Sequence, residues 1–126
     1  MPKMDIERVI LAAKLGRARK DAQVDTCSVF AAALYDLLSE RGIHRTIVTA
    51  VKKGFQAWAH SVIEVEGRYY DSLGEFSAAI YRDRARIHPS VSLDIAYVPD
   101  SRDDCYEEEF VEMYNFYLKM LTKAAV

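Results

Sequence analysis

The chain reads as an α+β protein in which an antiparallel sheet of about four strands packs on a buried helix from its N-terminal half. Three observations predict this class. Helical periodicity runs from Met4 to Gly42 and gives way to strand-like patterning at Arg45. The apolar runs that follow are joined by short turns, Lys52-Lys53-Gly54 and Glu66-Gly67, which make consecutive strands antiparallel. The second helical stretch is apolar over more than half its circumference, so it must be covered on several sides.

Taken in order, Met4 to about Ala22 has one apolar stripe (Ile6, Val9, Ile10, Ala13), with Lys14, Arg17, Arg19 and Lys20 toward the end the helix dipole makes negative. A second helix begins at Asp25 or Thr26, either of which can cap it, and runs through CSVFAAALYDLLSER to Gly42. Strands are expected over Arg45–Val51, Gln56–Val65, Arg68–Ser72 and Val91–Val98. A short helix fills Glu75–Arg86, and Pro89 ends it. From Asp103 to Lys123 the spacing of Phe110, Met113, Tyr114, Tyr117 and Leu121 predicts a long amphipathic helix with an acidic first turn.

The 126 residues fit one domain covering the whole chain, and no repeat, low-complexity tract or Gly/Pro/Ser-rich linker divides it. A net charge of -2 gives no general attraction to nucleic acid or to an anionic membrane. The N-terminal apolar run is broken by charges too early for a secretory signal, and the expected location is the cytoplasm. Two cysteines, Cys27 and Cys105, are too few for a disulfide scaffold and lack metal-ligand spacing, so both are expected as free thiols with no metal or other cofactor.

Cys27 falls in the first turn of the buried helix, where unpaired N–H groups and the dipole favour a thiolate. A free cysteine is also among the most buried residue types, and by itself this one reads as core. His60 changes the balance. It stands mid-strand between Ala59 and Ser61, where a bulky aliphatic would serve a plain sheet better, and a half-buried imidazole needs a partner. If Glu66-Gly67 is a two-residue loop, Val62 lies opposite Asp71, and His60 and Asp71 are diagonal neighbours on one face. A slip of one residue would separate them. Cys27 then serves as nucleophile, His60 as base and Asp71 as the group that orients the imidazole.

The stretches DTCSVFAAALYDLLSERGI and AWAHSVIEVEGRYYDSLG resemble the papain-like superfamily, especially its transglutaminase-like branch. The resemblance spans Asp25 to about Gly74. It implies a Cys27–His60–Asp71 triad performing proteolysis, amide hydrolysis, deamidation or acyl transfer on a peptide, protein or small acyl substrate. Papain-type enzymes also carry a Gln shortly before the nucleophile as an oxyanion donor. Gln23 lies closer to Cys27 than that motif sets it, and Gln56 at the mouth of the His strand is a second candidate. The chain is shorter than most proteases of this type, which favours a narrow substrate.

Trp58 shares strand parity with His60 and reads as core or as a wall of the substrate cleft. Tyr69 and Tyr70 read as packing groups, and His44 and His88 as loop residues. Arg82, Arg84 and Arg86 read as a solvated helix face or, in the sharper reading, as a patch that recognises an acidic substrate. Cys105, in DDCYEEE, is a poor nucleophile because neighbouring negative charge disfavours the thiolate. The aromatic C-terminal helix suggests a homodimer interface. Against the enzyme stand two rival readings: a catalytically inactive papain-like fold that binds a peptide or protein, and a structural domain whose Cys27 is simply core.

Overall fold

Asp5 opens the first helix, α1 (Ile6–Ala12), by accepting the Arg8 N–H at 3.1 Å. The computed structural model that shows this describes residues 4–24, 26–54, 57–102 and 107–126. The single helix expected over Met4–Ala22 is two, α1 and α2 (Ala18–Val24). Gly16 breaks the run with φ +58°, and the break turns Leu15 into the core.

α3 (Cys27–Glu40) buries Val29, Phe30, Ala31, Ala32, Ala33, Leu34, Leu37 and Leu38, as its all-round apolar pattern predicts. It ends in a Schellman motif, in which Ile43 N–H donates to Leu38 O at 2.9 Å and Gly42 N–H to Ser39 O at 3.0 Å. At its start Asp25 lies outside the described residues. Thr26 holds the N-cap position, but its hydroxyl caps nothing and bonds instead to Tyr117 Oη at 2.8 Å.

The sheet has five antiparallel strands rather than about four: β1 (Thr46–Lys52), β2 (Trp58–Val65), β3 (Arg68–Asp71), β4 (Gly74–Phe76) and β5 (Ile95–Pro99), in the spatial order β4-β3-β2-β1-β5. The extra strand is β4. At three residues it is too short to show period-two patterning, and the sequence assigns it to the following helix. That helix, α4 (Ala78–Ala85), starts only after Ser77 caps it by accepting Ile80 N–H. Gly74 is required where it stands. It has φ +107°, and a Cβ there would lie 3.0 Å from Glu7 Oε2, the atom that accepts Glu75 N–H and ties α1 to β4.

The sheet is rolled. Adjacent strands lie about 4.8 Å apart, so a flat sheet would hold β4 and β5 at opposite edges. Instead the Phe76 and Tyr97 rings sit 6.5 Å apart, and Tyr69 of β3 stacks on Tyr97 of β5 at 3.9 Å. Val48, Ala50, Val62 and Phe76 fill the concave side with Trp58, Tyr69, Tyr81, Ile95 and Tyr97 against them. Ile47, Ile63, Val65 and Tyr70 face the other way, into the larger core of α1, α3 and the C-terminal helix.

That last helix, α5 (Val111–Ala124), follows a 3-10 turn (Glu107–Phe110), while the predicted start at Asp103 and Cys105 lie outside the described residues. Tyr117 and Leu121 are fully buried in the larger core, with Met113, Tyr114, Phe116 and Leu118 packed beside them. Arg102 and Tyr114 both donate to Asp36, joining α5 and its approach to α3.

Candidate active site

Glu66 and Gly67, at φ +53° and +83°, form the two-residue hairpin loop with both central residues left-handed, a geometry that matches strand twist. The loop fixes the register as Val65↔Arg68, Glu64↔Tyr69 and Ile63↔Tyr70, and its continuation sets Val62 opposite Asp71. Trp58, His60 and Val62 share the concave face. His60 and Asp71 are therefore diagonal neighbours, with Nε2 3.0 Å from Oδ2.

Asp71 is 1% exposed and every side of its carboxylate is occupied. Oδ2 accepts from His60 and from Arg84 Nη1 at 2.8 Å, and Oδ1 accepts from Arg84 Nη2 at 3.2 Å and from Leu73 N–H at 3.0 Å. Burial pushes its acidity toward the neutral form, but bonds from His60 and Arg84 outweigh burial and hold the carboxyl below its usual range. An ionised carboxylate only accepts, so His60 Nε2 carries the proton. Nδ1 is left as the ring nitrogen for the interaction with the Cys27 thiol.

The thiol reaches His60 because β3 is short. In an antiparallel ladder the N–H groups of Ser61, Ile63 and Val65 all point toward β3, and β3 ends at Asp71. Ser61 therefore faces an open edge, and the first turn of α3 closes on it. Burial would raise the Cys27 thiol, but hydrogen bonding with His60 and with the backbone N–H and hydroxyl of Ser61 brings it below the ordinary thiol range. His60 responds in kind. Burial lowers it, while Asp71 and Cys27 raise it, and the result is pushed up to about 9. Both shifts favour a thiolate–imidazolium pair.

The remaining predicted residues divide. Gln23 lies beside His60, half-buried, where its Nε2 donates to Ser72 Oγ at 2.7 Å and Ser72 Oγ donates to Arg19 O at 2.8 Å. Arg19 secures this corner by donating to the Ser72 and Ala13 carbonyls, both at 2.6 Å. Trp58 stands on the concave face beside His60 and packs on Phe76 and Tyr81. Gln56 lies outside the described residues. Tyr69 and Tyr70 face opposite sides of the sheet, each packed in a core.

Two residues of this constellation escape a reading of the sequence. Ser61 reads there only as a small neighbour of His60. Arg84 reads as part of a solvated face and is instead a bidentate clamp on Asp71 that also donates to Glu75 O at 2.8 Å. A signal for it exists: Tyr81 and Arg84 are three apart on α4, so a helix that turns Tyr81 onto Phe76 turns Arg84 the same way. Comparison of the chain with protein-family models, with curated proteins and with solved structures returns no match.

Proposed function

We propose that the chain is a cysteine-dependent hydrolase or acyltransferase that acts on an amide or thioester through a covalent acyl-enzyme. In this reading the rolled sheet and α3 form a papain-like, transglutaminase-like core. The observation that carries it is the 3.0 Å bond from His60 Nε2 to a buried, Arg84-clamped Asp71, which fixes the tautomer and leaves Nδ1 for the neighbouring Cys27 thiol. A histidine bonded only for packing has no need of a thiol on its second nitrogen.

The Cys27 thiolate attacks the carbonyl carbon, and the first-turn N–H groups of α3 and the Gln23 amide are the candidate donors to the oxyanion. Imidazolium Nδ1–H of His60 protonates the leaving amine or thiol as its bond to carbon breaks. The neutral imidazole then takes a proton from water or an amine that attacks the thioester, releasing product and restoring the ion pair. Such chemistry suits a reducing compartment, the cytoplasm. Among the described residues no helix is long and apolar enough to cross a membrane. A homodimer through α5 belongs to the same reading, and sedimentation showing a monomer at micromolar concentration removes it.

Iodoacetamide labelling followed by intact mass and peptide mapping tests the proposal. Cys27 is expected to alkylate below neutral pH much faster than Cys105, and His60→Ala to slow it toward the Cys105 rate. Equal, slow labelling of both thiols refutes the catalytic reading.

A further inference from the structure

A cavity of about 120 Å³ opens beside His60, walled by Gln23, Trp58, Ala59, Phe76 and Tyr81. Cys27 is not among its walls. In a thiol mechanism the acyl carbon bonds to sulfur, while the leaving group departs on the side of the imidazole that protonates it. A cavity bounded by the base and not by the nucleophile thus lies where the leaving group goes.

Size and chemistry narrow what enters. A cavity near 150 Å³ holds one benzene, so the walled part of this half-open cleft fits a group of about the size of a phenyl ring. Its walls brace one another: Trp58 lies 4.8 Å from Tyr81 and 6.4 Å from Phe76, and Tyr81 lies 6.2 Å from Phe76. The Arg84 guanidinium over Phe76, at 5.9 Å, supports that ring as well. Among the described residues the ionisable groups that line the space are His60 and the Tyr81 phenol, and Gln23 is neutral, with one Nε2 hydrogen bonded to Ser72 Oγ. Aromatic faces disfavour an anion, and the adjacent imidazolium disfavours a cation.

We infer that this cavity is the leaving-group subsite and that the substrate class is an acyl compound with a small, uncharged leaving group. The inference rests on the thiol mechanism proposed above. Thiolate sulfur bonds to the carbonyl carbon, the bond from that carbon to the leaving heteroatom breaks, and the His60 proton neutralises the departing group within the cavity.

The test uses the full chain with two thioacetates, one of ethanethiol and one of a naphthylethanethiol, whose thiols are of similar basicity. Acetylation of Cys27, read by intact mass, is expected to be at least about tenfold faster from the ethyl compound. Tyr81→Ala is expected to bring the two rates within about twofold, and Trp58→Leu, a second variant in case the first misfolds, to do the same. Replacing acetyl by hexanoyl on ethanethiol should affect wild type and variants alike. Equal rates in the wild type, or an unchanged ratio in the folded variants, overturn the subsite. Iodoacetamide separates the two failures: a fast-alkylating Cys27 with a flat thioester ratio sinks the subsite alone, while a slow one sinks the mechanism beneath it.

Discussion

Arg84→Met is the perturbation that isolates what the fold gives to Asp71. The carboxylate is 1% exposed and makes four hydrogen bonds, two of them to Arg84. The Arg84 side chain is itself only 20% exposed, so water does little to replace it. Breaking a buried ion pair by removing one partner costs about 3–5 kcal/mol. Since His60 and Leu73 N–H remain on the carboxylate, the lower end applies, about 3 kcal/mol. At about 2.1 cal/mol/K of unfolding entropy per residue, that is a melting temperature lower by roughly 11 °C. Urea unfolding at pH 7 measures it, with Arg86→Met as the exposed control, expected within about 0.5 kcal/mol of wild type. Acid titration gives a second reading. Asp71 has a folded pKa below its unfolded value, so its stabilisation is present above the unfolded value and is lost as pH falls through the folded one. Without Arg84 the depression shrinks and acid unfolding starts at higher pH. A loss below about 1 kcal/mol, equal to that of Arg86→Met, refutes the clamp.

The raised His60 gives the opposite limb. Its stabilisation is complete below the unfolded value of 6.5 and is lost as pH rises through about 9. The difference corresponds to roughly 3 kcal/mol across that window, and urea unfolding at intervals of pH should show the decline. His60→Ala should flatten it, and a wild-type curve level from neutral to pH about 9 contradicts the assignment. Tyr117→Phe removes one hydroxyl that accepts from Thr26 and donates to Ala18 O, each at 2.8 Å, in the interior beside the start of α3. Calorimetry is expected to show a loss of about 1–3 kcal/mol, and a change within experimental error means the bonds contribute nothing net.

The hairpin was readable because its turn chemistry and its period are both local. Glu66-Gly67 allows a single tight loop, and parity then sets His60 and Asp71 on one face without knowledge of any other element. The buried α3 was readable for the same reason, since its apolar residues alone dictate burial on all sides. What lies across distance was not. Arg84 depends on where α4 docks, and α4 buries no residue fully, so no apolar stripe announces its inner face. The break at Gly16 was hidden because the apolar stripe continues to Ala13 and resumes with Ala22 in the core, while a single glycine costs a helix only about 1 kcal/mol. Rolling of the sheet is also non-local: Tyr69 and Tyr97 meet through curvature that no short window of sequence carries.

The termination of β3 lets the start of α3 approach the concave side of the sheet. α3 packs on the convex side of the sheet, through Phe30, Leu34 and Ile63, whereas His60 and Asp71 project on the concave side. A continuous sheet would keep thiol and imidazole apart. With β3 ending at Asp71 and its chain turning at Ser72-Leu73 into β4, the edge of β2 at Ser61 is left without a neighbouring strand. The helix start fills that opening, and the imidazole meets the thiol around the strand edge. The same turn supplies Leu73 N–H to Asp71 and the Ser72 groups that hold Arg19 and Gln23. One short strand therefore does two things that are unrelated in the sequence: it orients the Asp71 carboxylate, and it admits the Cys27 thiol.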